Sequence, residues 1–207
     1  MDFRRPLNTV TPTLDADVLE VLSRADSELT GLQIQRMAAR GSPQGIRNAA
    51  DRLTAQGVLV RRSVGSAHLY RLNREHVAAR WIEGLAGVRG QLIERLRTAV
   101  GEWSTPPLGA IIFGSVASGA ATPESDLDLL IVRPRACDGD SPQWRSQLAG
   151  LQERATAWSG NDARIVEYGE LEDLEGEPLL QEALREGIVL YGREHVLRHL
   201  AASTGPR

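Results

Sequence analysis

The chain has no lysine and only one cysteine, Cys137, among its 207 residues. A phosphate-binding P-loop requires a lysine, so that route to nucleotide binding is excluded. A single cysteine makes no intrachain disulfide and builds no cysteine-based zinc cluster. Cys137 lies between Arg133-Pro134-Arg135 and Asp138-Gly139-Asp140, a loop-like stretch offering no base to activate a thiol. No apolar run reaches the roughly 18 residues needed to cross a bilayer. Met1-Asp2-Phe3-Arg4-Arg5-Pro6 lacks the apolar core of a secretory signal. The expectation is a cytoplasmic protein with no membrane association.

The hydrophobic content of 42% and charged content of 25% are those of a soluble globular protein. The length allows one large domain or two small ones. Charge is unevenly spread: residues 1–80 carry 12 Arg against 8 acids, and residues 81–207 carry 12 Arg against 19 acids. The basic part suits a phosphate backbone, and the acidic part suits bound metal or simple solubility.

Thr13 is placed to cap a helix whose Leu14, Val18, Val21, Leu22 and Ala25 share one face. Thr30 opens a second helix containing Ile34, Met37 and Ala38, and Gly41 is expected to end it. Ser42 and Pro43 then supply the cap and first residue of a third helix, which buries Ile46, Ala49, Ala50 and Leu53 and stops at Gly57. Val58–Arg62 and Ala67–Leu72 are strand-like runs joined by a turn at Val64-Gly65-Ser66. Three helices followed by a hairpin resemble a winged helix-turn-helix.

Asn73 is expected to cap a helical region reaching about Val100, with Val77, Trp81, Leu85, Val88, Leu92 and Leu96 as an apolar seam. Gly84, Gly87 and Gly90 each cost about 1 kcal/mol in a helix interior, so the region reads equally as two helices with a break. The seam packs on its own domain or on a second copy, and a homodimer is expected. Ser104-Thr105-Pro106-Pro107 marks a boundary. Beyond it, 108–113, 127–132, 163–167 and 188–191 read as strands. Residues 142–158 (capped by Ser141), 178–186 and a last segment from about Glu194 read as helices.

The chemistry is concentrated in one stretch, Gly114-Ser115-Val116-Ala117-Ser118-Gly119 through Ser125-Asp126-Leu127-Asp128-Leu129. Strand side chains alternate, so Asp126 and Asp128 share a face and are placed to clamp the same divalent cation. Paired carboxylates suit Mg²⁺, which also takes oxygens from a triphosphate. Gly114 lets backbone approach a phosphate closely, and the N–H and hydroxyl of Ser115 are donors for its oxygens. A metal beside a phosphate cradle is what in-line nucleotidyl transfer requires.

Gly-Ser, a spacer and Ser-Asp-x-Asp-Leu resemble the signature of the DNA polymerase beta-type nucleotidyltransferase superfamily, especially its small members. The resemblance covers about 104–192, where Glu186-Gly187-Ile188-Val189-Leu190-Tyr191-Gly192 is similar to the closing strand of such domains. It implies transfer of a nucleoside monophosphate from a nucleoside triphosphate, ATP first among them, with Mg²⁺. Asp126 and Asp128 would be metal ligands, and Gly114, Ser115 and Ser125 would lie on the nucleotide side. It also implies a small protein partner beside which this chain is antitoxin-like, since minimal transferases often act beside a second small protein.

Two positions depart from that pattern. Small members usually carry an arginine where this chain has Ser118, and a third carboxylate on a later strand. The corresponding strand, Ala163-Arg164-Ile165-Val166-Glu167, puts Arg164 in the acid's place, where a cation repels metal and is no general base. Asp162, two residues earlier, is either the replacement catalytic carboxylate or a turn residue after Ser159-Gly160-Asn161.

The outward face of the third helix presents Gln44, Asn48 and Asp51 flanked by Arg47 and Arg52; Arg and Asn are side chains that read guanine and adenine edges. Arg61, Arg62, His68 and Arg71 on the hairpin are candidates for phosphate contacts. Six of the eleven residues from Glu167 to Glu177 are acidic, which makes that surface unsuited to nucleic acid. His195 and His199 have the spacing of a helical metal pair but no evident third ligand.

The expected architecture is α+β: a winged helix-turn-helix at 1–75 that binds DNA, a helical linker at 76–103, and a small mixed-sheet nucleotidyltransferase domain at 104–207. The function is either nucleotidyl transfer to an acceptor or transcriptional regulation by a catalytically impaired domain that binds nucleotide or a partner.

Overall fold

The computed structural model describes residues 1–169 and 177–192. The chain divides into two compact units, one of Asp2 and Arg4–Val88, the other of Met1, Phe3 and Arg89–Arg207. The division falls inside the segment expected to be a linker. The helix expected from Glu194, with His195 and His199, and most of the acidic run lie outside the described residues.

In the N-terminal unit, a 3-10 turn (Pro6–Thr9) leads to α1 (Leu14–Ser23), β1 (Leu29–Thr30), α2 (Gly31–Ala38), α3 (Pro43–Ala55), β2 (Leu59–Val64), β3 (Ala67–Leu72) and α4 (Ala79–Ala86). The Thr30 side chain accepts from the Gln33 N–H while Gln33 reaches back to the Thr30 N–H, a reciprocal cap that starts α2. Ser42 accepts from the Gly45 N–H, and Pro43 begins α3. Thr13 stands at the expected position before α1, but its hydroxyl donates to Asp15 instead of capping a backbone N–H. Helix α2 ends earlier than expected, because Ala39 (φ 51°) is already its left-handed cap; Gly41 (φ 76°) makes a second left-handed turn two residues later.

β2 and β3 form a hairpin with Val64 opposite Ala67, and β1 adds a third antiparallel strand through Leu29–Tyr70 and Thr30–Leu69. The sequence reading missed β1, whose two residues are too few for periodicity to register. Val18, Ile34, Ile46, Ala49, Ala50 and Leu72 are fully enclosed in one core shared by the three helices and the hairpin. Asn73 caps no helix: its amide donates to the Gly57 carbonyl, its oxygen accepts from Glu75, and α4 starts only at Ala79. The expected seam divides accordingly. Val77 and Trp81 are 85% and 63% exposed, while Leu92 and Leu96 are buried in the other unit.

The second unit contains α5 (Val88–Gly101, all but its first residue), β4 (Gly109–Phe113), the short α6 (Gly114–Ser118), β5 (Leu127–Arg133), α7 (Pro142–Ser159), β6 (Ala163–Gly169), α8 (Pro178–Glu186) and β7 (Ile188–Tyr191). Its mixed sheet runs β6-β5-β4-β7, with β5 and β6 parallel and the other pairs antiparallel. Strands β4 and β5 are apolar almost throughout because helices cover both faces of the sheet. Leu130 and Val132 meet Leu180, Ala183 and Leu184 of α8 on one face, and α7 packs along β5 and β6. Gly187 makes the α8–β7 corner possible, since a Cβ there would lie 2.2 Å from the Ala183 carbonyl. Among the described residues no helix is long and apolar enough to cross a membrane.

Candidate functional site

The sheet register builds the site. Phe113, the last residue of β4, pairs with Asp128 on β5, and Asp128 pairs on its other side with Arg164 on β6. Gly114 therefore turns away immediately beside Asp128. It takes φ +69°, and a Cβ there would stand 2.9 Å from the Asp128 carboxylate, so this corner admits only glycine without strain. α6 carries Ser115 next in the chain. Asp126 precedes β5 by one residue and shares the face of Asp128 by strand alternation. The carboxylate pair and the glycine–serine corner thus adjoin one another.

Arg164 stands across from them. Its NH1 lies 2.8 Å from Asp126 Oδ2, and its Nε lies 3.8 Å from Asp162 Oδ2. The arginine is the link between Asp126 and Asp162. Asp162 itself is 68% exposed, and its backbone carbonyl accepts from Leu127, extending the β5–β6 pairing by one residue. Burial raises the Asp128 carboxyl above the ordinary range; Asp126 adds to the rise, Arg164 opposes it and Glu182 adds again. Glu182, on α8, was not foreseen, because no local spacing connects it to a strand more than fifty residues earlier.

Four further residues shape the corner and the loop before Asp126. Arg89 of α5 donates to the carbonyls of Val116, at 2.7 Å, and of Ala117, binding the end of α6. Ser118 donates back to the Ser115 carbonyl. Ser125 accepts from the Thr122 N–H at 2.9 Å and so closes the turn before Asp126. Asn161 is 1% exposed, and its amide donates to the Thr122 and Ser125 carbonyls. It read from sequence as a turn residue, yet it ties that loop to the end of α7.

The donor set does not fit the metal centre of two-metal transfer. Among the described residues no three His, Cys, Asp or Glu side chains are grouped to hold a metal ion. A guanidinium already neutralises Asp126.

Residues 93–183 match the model of the family described as "Nucleotidyltransferase domain". The match runs from α5 into α8 and so takes in the strands that carry Asp126, Asp128 and Arg164. Solved structures to which the chain is similar include a toxin–antitoxin complex with AMP-PNP, at 15% identity and TM-score 0.41, covering 54% of this chain and 82% of that one. Another is a tri-AMPylated Shewanella oneidensis HEPN toxin in complex with MNT antitoxin, at 13% identity and TM-score 0.39, covering 56% and 82%. A third is the toxin–antitoxin MntA-HepT, at 13% and 0.38, covering 55% and 81%. No curated protein sequence matches the chain.

The N-terminal unit carries the other candidate surface. A cleft of about 450 Å³ between α2, α3 and the hairpin is lined by Thr30, Arg47, Asp51, Arg61, His68 and Tyr70, among others. Gln44 donates to Asn48 at 2.7 Å, so the two polar residues expected to read bases bond to each other. Arg52 pairs with Asp15 at 2.7 Å, Arg61 with Asp51 at 3.2 Å, and Arg62 with Glu28. Burial alone would raise the Asp15 carboxyl, but Arg52 and Thr13 outweigh it and hold it below the ordinary range. Arg62 likewise lowers Glu28. Arg47 has no ion pair among the described residues.

Proposed function

We propose that the chain is a DNA-binding regulator: its N-terminal unit is a winged helix-turn-helix, and its transferase domain binds a nucleoside triphosphate or a protein partner without turning it over. The observation that carries this reading is the Arg164–Asp126 ion pair at 2.8 Å. Transfer chemistry needs a third carboxylate at that place to hold metal and take a proton. A cation there opposes both.

The DNA-binding half rests on three helices and a hairpin, on the excess of arginine over acid before residue 81, and on Arg47 lining an open cleft. Gln44, Asn48, Arg52, Arg61 and Arg62 would complete the contact surface, and Gly114, Ser115 and Ser125 the nucleotide side of the other domain. The exposed Val77 and Trp81 favour a homodimer in which a second copy covers them.

The test is a fluorescence-anisotropy titration of labelled duplex DNA at several salt concentrations. Binding should weaken steeply with salt and should fall on Arg47→Ala. Duplex binding that is independent of salt and of Arg47 would overturn the reading.

Genuine nucleotidyl transfer is the second reading. It is favoured by the closeness of Asp128 to Gly114, where an added Cβ would lie 2.9 Å from the carboxylate, and by Asp162 within 4 Å of Arg164. It requires Arg164 to leave Asp126 and Asp162 to turn inward.

A further inference from the structure

We infer that Asp51 is a charge restraint built into the DNA-facing cleft of the N-terminal unit, which holds Arg61 away from phosphate and keeps affinity for arbitrary duplex DNA low. The inference rests on the winged-helix, DNA-binding reading above and adds to it a residue that sets specificity.

Asp51 belongs to the outward face of α3, one turn after Arg47, and both line the cleft against the hairpin. One of its carboxylate oxygens accepts from two neighbours at once, Arg61 NH1 and the Tyr70 hydroxyl, each at 3.2 Å. Arg61 and Tyr70 are directly paired residues of β2 and β3. A single carboxylate therefore joins the helix to both strands and fixes how far the hairpin stands from α3. Tyr70 is 2% exposed, so that end of the clamp is rigid, whereas Arg61 and Asp51 are both more than 40% exposed and face solvent.

The electrostatic consequence follows from the same geometry. A phosphate arriving at the cleft meets Arg61 already paired with an acid. The Arg52–Asp15 and Arg62–Glu28 pairs repeat the arrangement on either side. Three of the five arginines expected to meet DNA are thus internally neutralised, and Arg47 and Arg71 are left without an ion pair among the described residues. Binding by such a surface depends on contacts that reward the correct sequence, because bulk attraction to the backbone has been reduced.

Asp51→Asn keeps an oxygen that can accept from Tyr70 and removes the charge. Arg61 then becomes available to one phosphate. Each phosphate neutralised adds about 0.9 to the slope of log affinity against log salt, which amounts to about eightfold tighter binding at 0.1 M.

The experiment is anisotropy on the full chain with a random-sequence duplex of about 30 base pairs at several salt concentrations. It compares wild type, Asp51→Asn, Asp51→Asn with Arg61→Ala, Arg47→Ala, and Glu94→Gln as a control that makes the same change in net charge on the other unit. The expected result is a steeper slope and tighter binding for Asp51→Asn alone. A gain that equals that of Glu94→Gln, or that survives loss of Arg61, overturns the inference. Wild-type binding that Arg47→Ala weakens and Asp51→Asn leaves unmoved overturns the inference but keeps the DNA reading. Absence of binding by both wild type and Asp51→Asn overturns both.

Discussion

Replacing Arg164 with aspartate should turn a site that repels a divalent cation into one that attracts it. The side chain is 62% exposed and its partner Asp126 is 31% exposed, so the interaction is worked at a water-like dielectric. Two unit charges 4 Å apart then interact by about 1 kcal/mol, and a divalent ion beside the guanidinium is opposed by about 2 kcal/mol. Arg164→Ala removes that opposition and should tighten metal binding about 30-fold. Arg164→Asp replaces it with an attraction of similar size, for a combined gain of about a thousandfold. The fold should survive, since a solvent-exposed ion pair contributes about 0–1 kcal/mol. Mn²⁺ is a suitable probe, because its free form is counted directly by electron paramagnetic resonance. Affinity should rise from wild type to alanine to aspartate. Equal Mn²⁺ affinity in all three proteins would refute the claim that Arg164 sets the charge of this pocket.

Three further outcomes follow from the same geometry. Burial holds the Asp128 carboxyl above its ordinary range, so the native state binds more protons there than the unfolded chain, and stability falls as pH rises through that window. Asp128→Asn should therefore raise Tm at pH 7, with the gain shrinking as pH falls toward the ordinary carboxylate range; a lower Tm at pH 7 would contradict the burial argument. Gly114→Ala forces a left-handed residue and a 2.9 Å contact with Asp128, and should cost about 1–2 kcal/mol in denaturant unfolding; an unchanged midpoint would show the corner to be relaxed. If Val77 and Trp81 are covered by a second copy, Trp81→Glu should convert a dimer to a monomer by light scattering, and a wild-type monomer would dispose of that interface.

The carboxylate pair was legible because strand alternation is a rigid rule: Asp126-x-Asp128 at the head of an apolar run leaves little choice of geometry. Gly114 was legible for a related reason, a glycine directly after a buried strand where backbone must turn. The cap at Thr30 could be read because Gln33 stands at the spacing a reciprocal cap requires. What escaped depends on which of several available partners a side chain takes. Thr13 had both a backbone donor and Asp15 within reach and took Asp15. Asn73 had a helix to start and the Gly57 carbonyl to bind, and it bound the carbonyl. Arg164 was recognised as a cation in an acid's place, but its choice of Asp126 over Asp162 emerges only from the parallel register of β5 and β6. Arg89, Asn161 and Glu182 reach the site from other elements, and no spacing within one segment announces them.

Pyrophosphate release by the purified wild-type chain, incubated with Mg²⁺ and each of ATP, CTP, GTP and UTP, tests the account most directly. Arg164 beside Asp126 predicts no release above that of the Asp126→Ala, Asp128→Ala double variant. Release by wild type that the double variant lacks would show that the domain transfers nucleotides in spite of its arginine.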